Sequence, residues 1–254
     1  MCFKTILLHI GNDECHPVRL HVAVELARRF DSFLDVVYFR GTAGSVDPER
    51  AVRIEEEVHH ACLDRSYSWT EIEGDPLKTL ALRAGFADLA IVSQANPANL
   101  EDEALPQLAD HLAGQTACPV LVLPWGTSVE APGRHILLAW KNCPEAGRAL
   151  RDAIPLLLAA DRVTVLTVGF DSADDSEPTD ISVYLERHGV EADFHPDSNS
   201  DSDAGDVILA VADELECDAI VMGCFSHSRL RDMVMGSATD SVLTKMRVPV
   251  LLSG

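Results

Sequence analysis

Lys4-Thr5-Ile6-Leu7-Leu8 recurs as Arg134-His135-Ile136-Leu137-Leu138, 130 residues further along the chain. The same offset joins Ala87-Asp88-Leu89-Ala90-Ile91-Val92 to Cys217-Asp218-Ala219-Ile220-Val221-Met222, and Pro119-Val120-Leu121-Val122-Leu123 to Pro249-Val250-Leu251-Leu252-Ser253. One short apolar match arises easily by chance, but three in a single register mark a duplicated unit. The Gly/Ser/Pro-bearing stretch between Trp125 and Gly133 reads as the join. The expected organisation is a first domain over 1–126, a linker over 127–133 and a second domain over 134–254.

Within each copy, short apolar runs alternate with helical patterns, the signature of stacked βαβ units around a parallel sheet. The second copy reads as strand 135–140, helix 144–159, strand 162–169, helix 179–188, strand 190–195, helix 205–216, strand 219–223, helix 236–246 and strand 248–252. The first reads as 4–10, 17–30, 33–39, 48–64, 66–73, 75–86, 89–93, 103–114 and 119–123. Ile6-Leu7-Leu8 and Ala219-Ile220-Val221-Met222 lack the polar alternation of a half-exposed strand, so both sheet faces should be covered. The fold class is α/β: two tandem, doubly wound, Rossmann-like domains, each with a five-stranded parallel sheet flanked by helices.

Of the 254 residues, 47% are hydrophobic and 24% charged, a globular composition able to bury a core. The formal net charge of −21 repels nucleic-acid backbones and anionic lipid headgroups, so neither nucleic acid nor a membrane surface is an expected partner. The N-terminal stretch lacks the basic leader and cleavage site of a secretory signal, and no apolar run reaches membrane-span length. A soluble, cytoplasmic chain is expected. Seven cysteines without a Cys-x-x-Cys fit reduced, mostly buried thiols.

Residues 171–206 carry twelve acids against the single base Arg187. Solvated loops around a helix and an edge-like strand account for this; a cation site is the other reading, but the glycine and terminal Glu of a calcium loop are missing.

Ligands of doubly wound sheets sit beyond the carboxyl ends of the strands, here after Trp140, Val168 and Gly223. After the last comes Gly223-Cys224-Phe225-Ser226-His227-Ser228-Arg229-Leu230-Arg231-Asp232-Met233-Val234-Met235-Gly236-Ser237-Ala238. Gly236 permits close backbone approach, Ser237 adds a hydroxyl, and the helix start directs partial positive charge outward, so the stretch can cradle an anion. An ordinary helix cap preceded by a turn has the same spacing.

This stretch resembles the nucleotide loop of the universal stress protein family, whose ATP-binding members carry Gly-x-x-Gly-x9-Gly-Ser/Thr. Gly223, Gly236 and Ser237 match, His227 to Met235 keep the nine-residue spacing, and Ser226 replaces the second glycine. The likeness spans nearly the whole chain twice, as in tandem members. It implies ATP or a related anion bound by the second copy through Trp140, Lys141, Val168, Gly223, Ser226, Arg229, Gly236, Ser237 and Ala238. Family ATP binders place an Asp where Lys141 stands, so the adenosine contact does not carry over. Lys141 is either an exposed strand-end lysine or a group that reaches an anion.

The first copy departs further: Ser93, Asn96, Pro106 and Gln107 occupy the motif positions, and Gly11 stands opposite Lys141. Proline removes an amide where the cradle needs one, so no ATP binding in the family manner is expected there. Family dimers pair their fifth strands. The resemblance implies that Pro119–Leu123 and Pro249–Ser253 pair within one chain as a pseudo-dimer, with a homodimer of the tandem chain as a further expectation.

No Gly-x-Gly-x-x-Gly, Gly-x4-Gly-Lys-Ser/Thr, Gly-x-Ser-x-Gly or His-Glu-x-x-His occurs. His59-His60 lie beside Glu55-Glu56-Glu57 on what reads as a solvated helix face, and His9, His16 and His21 could meet around a strand end. Cys224 is the thiol to test for reactivity. The leading reading is a non-enzymatic stress-response module. A degenerate member acting through protein contacts is the rival. Slow ATP hydrolysis, needing Asp232 or Asp240, comes third.

Overall fold

The computed structural model describes residues 2–40, 48–74, 76–96, 108–130, 132–168, 177–197, 203–224 and 237–254. Two compact units divide the chain, one over Cys2–Ala131 and one over Pro132–Gly254. In the first run β1 (Thr5–Ile10), α1 (His16–Phe30), β2 (Phe33–Phe39), α2 (Pro48–Ala61), β3 (Tyr67–Ile72), α3 (Pro76–Ala84), β4 (Leu89–Ser93), α4 (Leu108–Gln115) and β5 (Val120–Leu123). Its sheet is parallel, in the order β3-β2-β1-β4-β5. The second holds β6 (His135–Trp140), α5 (Pro144–Ala159), β7 (Arg162–Val168), α6 (Glu177–Arg187), β8 (Asp193–Asp197), α7 (Ala204–Glu214), β9 (Ala219–Gly223), α8 (Ser237–Lys245) and β10 (Val250–Ser253). Its order, β8-β7-β6-β9-β10, repeats that of the first unit and is again parallel.

Ile136, Leu137 and Leu138 are 0% exposed, which requires cover on both faces of the sheet. Ile6, Leu7 and Leu8 in the first unit are buried to the same degree. The duplication also shows in hydrogen bonding. Asp88 accepts the amides of Lys4 and Thr5 through Oδ2 at 2.7 and 2.9 Å, closing the amino end of β1. Asp218, 130 residues on, accepts those of Arg134 and His135 at 2.8 and 3.0 Å and closes β6 in the same way. At the opposite ends, Gln94 N–H donates to Leu123 O at 2.8 Å and Cys224 N–H to Ser253 O at 2.7 Å.

Most expected elements stand within a few residues of their reading, and β2, β4, β6, β9 and α5 coincide with it. The strand expected over 190–195 is displaced to Asp193–Asp197. Val190 is instead a helix-end anchor: Gly189 turns the chain at φ +76°, and the buried Val190 donates its amide to Leu185 O at 3.0 Å. The strand that follows is polar and lies at the edge, where apolar content is a poor guide. Of the helix expected over 103–114, residues 103–107 lie outside the described residues. Among the described residues, no helix is long and apolar enough to cross a membrane.

Acids of the 171–206 run take defined positions. Asp203 caps α7 by accepting from Gly205 N at 2.8 Å. Asp206 accepts from Ser241 Oγ at 3.0 Å and Lys245 Nζ at 2.6 Å, tying α7 to α8. The two helices touch closely at their starts, because a Cβ on Gly205 would lie 2.7 Å from Ala238 O.

Candidate functional site

In the second unit, parallel register brings the expected strand ends together. Trp140 pairs with Thr167, so Lys141 follows level with Val168, and Gly223 pairs with Ser253 beside them. The amino end of α5 adjoins this sheet end, since α5 starts a short turn after β6 stops, and the start of α8 packs against the start of α7, where a Cβ on Gly205 would lie 2.7 Å from Ala238 O. Lys141 is exposed, and its carbonyl accepts from Cys143 N at 2.7 Å as the chain turns into α5. Cys143 caps that helix in an extended conformation with no side-chain bond, and Pro144 opens it. Trp140 Nε1 is buried and has no hydrogen-bond partner among the described residues.

Gly223 has a packing reason of its own. A Cβ there would lie 2.6 Å from Ala146 N and 2.7 Å from Glu145 C, so only glycine lets the first turn of α5 approach β9 this closely. Ala238 likewise has a packing role, its carbonyl lying close against Gly205. Ser226, Arg229 and Gly236 lie outside the described residues, as does the Asp232 considered for hydrolysis; Ser237 begins α8, and its side chain is not described. Asp240 is exposed in the first turn of α8.

Behind this end lies a pair not read from the sequence. Ser253 Oγ donates to Asp152 Oδ2 at 2.6 Å, and burial pushes the Asp152 carboxyl above its ordinary range against the pull of that bond. Cys224 is 0% exposed, so the thiol singled out for reactivity is closed to solvent.

The equivalent end of the first unit is filled by its own side chains. Arg19, 1% exposed, reaches from α1 across the ends of β1 and β4. It donates through Nε to His9 O at 2.9 Å, through Nη1 to Asp13 Oδ1 at 2.9 Å and Ser93 Oγ at 2.7 Å, and through Nη2 to Asp13 Oδ2 at 2.5 Å. Burial works to raise the Asp13 carboxyl, but the charge and hydrogen bonds of Arg19 prevail and hold it below the usual range. Burial first, and the Arg19 charge second, depress His9 to about 3. Next to this network, Asn12 accepts from Tyr38 Oη at 2.6 Å and donates to Arg40 O at 3.2 Å, while Arg50 donates to Asn12 O at 2.6 Å. The loop after β1 is thereby fastened to β2 and α2.

Ser93, opposite Gly223, is thus a hydrogen-bond partner where Gly223 is a spacer, its Oγ accepting from Arg19. The sequence reading passed over Arg19, although a signal exists. It lies on the α1 face carrying Ala23, Ala27 and Phe30, all of them buried, and an arginine at such a place needs an internal partner. The three histidines that could meet around a strand end occupy different settings. His9 is buried beside Arg19, His16 bonds to Asp13 O at 2.9 Å and Glu57 Oε2 at 3.1 Å, and His21 is exposed. Among the described residues, no three His, Cys, Asp or Glu gather as a metal site would require.

Comparison with known proteins adds sequence and fold. A model described as the universal stress protein family matches residues 200–253. No curated protein matches the chain. Among solved structures, a universal stress protein from Archaeoglobus fulgidus DSM 4304 superposes with a TM-score of 0.79 at 17% identity, over 98% of this chain and 97% of that one. A functionally unknown protein from Pseudomonas aeruginosa PAO1 gives 0.70 at 18% identity, over 99% and 92%. The cytoplasmic domain of a prokaryotic cation chloride cotransporter gives 0.57 at 11%, over 98% and 94%. The likeness to universal stress proteins is therefore shown in two ways: the family's model matches the stretch that carries the motif, and the chain has the family's fold along its length. The cotransporter domain shows that the fold also serves elsewhere, so function has to be argued from the site.

Proposed function

We propose that the chain is a cytoplasmic stress-response protein of the universal stress protein type. Its second unit takes ATP or a related anion at 223–238, and its first unit serves the fold. The observation that supports this reading is the gathering of Trp140, Lys141, Val168 and Gly223 at one sheet end, with Gly223 and the start of α8 inside the family match. A helix start offers unsatisfied amides to an anion, and Lys141 adds an ammonium on a chain whose overall charge is −21. Among the described residues of the first unit, Arg19, Asp13 and Ser93 satisfy one another across the equivalent end.

Denaturing the purified protein and identifying released small molecules by mass spectrometry, followed by calorimetric titration with ATP, tests the reading. Gly236→Val or Ser237→Ala should weaken binding. Equal affinity in the native protein and both variants removes the site. A second reading, an interaction module without nucleotide, is favoured by Lys141 standing where the family's carboxylate would be. It predicts no released nucleotide and no heat with ATP at millimolar concentration.

A further inference from the structure

At the other end of the second sheet, the amino ends of β7 and β8 and the carboxyl end of α6 enclose an open groove of about 650 Å³. Its volume is that of a ligand or peptide site. Val163, Leu185 and Val190 form a buried apolar floor, and Phe194 stands 39% exposed at its side. Leu158, 48% exposed, adjoins it across Gly189. The polar wall is acidic: Asp161, Glu186, Glu191 and Asp193 face a single base, Arg162. Arg162 is already paired to Asp193 at 2.9 Å, and Asp161 to Arg134 at 3.4 Å. Among the described residues, Glu186 and Glu191 form no ion pair, and both are exposed.

One wall of the groove is the start of an edge strand. β8 pairs with β7 on one side, and among the described residues no strand of its unit pairs with the other. Pro196 removes an amide from the far half of β8, while Asp193 and Phe194, which line the groove, keep theirs. An unpaired edge with intact amides is a template for an added strand.

We propose that this groove docks an extended, basic segment of a partner protein, added to the free edge of β8. Main-chain bonds would hold the segment, an apolar side chain would lie against Phe194 and Val163, and Lys or Arg at alternate positions would meet Glu186 and Glu191. Charge complementarity selects this occupant: the rim's unpaired carboxylates repel acidic segments, while the apolar floor leaves a purely hydrophilic cation without a use for Phe194. The proposal is independent of the 223–238 site, at the opposite sheet end.

The test uses the whole chain and a fluorescent peptide alternating Val and Lys, with its Val/Glu counterpart as control. Anisotropy should report binding of the basic peptide alone, and hydrogen exchange should slow at Asp193–His195. Glu186→Gln combined with Glu191→Gln should weaken binding about tenfold, as should Phe194→Ser. Glu55→Gln with Glu56→Gln, the same charge change on α2, should leave it unaltered. Equal weakening by the two charge pairs, displacement by spermine as readily as by unlabelled peptide, absence of binding, or unchanged exchange at β8 would each overturn the proposal. The exchange measurement needs only the native protein, so it decides the matter even where Phe194→Ser does not fold.

Discussion

Arg19 Nη1 donates to Ser93 Oγ at 2.7 Å, bridging the start of α1 to the end of β4. Ser93→Ala leaves one buried guanidinium N–H unpaired and should cost about 1–3 kcal/mol. Asp13→Asn strands the Arg19 charge itself, and about 3–5 kcal/mol is expected. Urea denaturation of both variants checks the order. A smaller loss for Asp13→Asn than for Ser93→Ala would show that the ion pair does not organise this end.

Acid should act on the same network. His9 is held from its ordinary 6.5 down to about 3, so between these values the unfolded chain binds a proton that the folded chain refuses. Stability therefore falls with pH across that window, by up to about 1.4 kcal/mol per unit. Asp13, depressed in the folded state, acts in the same sense at the acid end: its contribution is present above the ordinary carboxylate range and is lost as pH falls through its folded value. His9→Gln should flatten the decline between pH 6 and pH 4 relative to the native chain, measured as urea midpoints. Parallel curves would mean that residue 9 is protonated in the folded state.

Gly223 and Gly147 should respond oppositely to alanine. At Gly223 the new Cβ meets the Ala146 amide at 2.6 Å, and a loss of about 1–3 kcal/mol is expected. At Gly147, inside α5, it meets only Arg151 Nη1 at 3.9 Å, and helix propensity favours alanine by about 0.5–1 kcal/mol. Thermal melts compare the two. A neutral Gly223→Ala would leave anion contact as the better account of that glycine.

Thiol chemistry should be confined. Cys2 is exposed and Cys143 half-buried, whereas Cys15, Cys62, Cys118, Cys217 and Cys224 are buried. Burial raises the Cys217 thiol to about 11, against an ordinary 9.0, which further lowers its reactivity. An alkylating reagent on the native protein, followed by peptide mapping, should label Cys2 first and Cys143 next. Early labelling of Cys224 would contradict the burial at the end of β9.

Apolar periodicity made the interior elements legible, because Ile136-Leu137-Leu138 and Ala219-Ile220-Val221-Met222 must be strands buried on both faces. The edge was not: Asp193–Asp197 buries none of its residues fully, and its position follows from pairing with Thr164–Val168. At the site, strand ends were readable as places, since topology fixes where they gather. What fills them was not, because Arg19 meets Ser93 across 74 residues and Ser253 meets Asp152 across 101, contacts that no local pattern encodes.

Asp88 and Asp218 close the amino ends of their own sheets with the same bonds, while Gly11 and Lys141, Arg19 and Ala149, and Ser93 and Gly223 differ at the carboxyl ends. Each copy thus anchors its strands where no ligand is expected, and the anchor makes no demand on the far rim. After duplication, the residues of each rim could diverge, as Arg19, Asp13 and Ser93 have in the first, without either half losing its foundation.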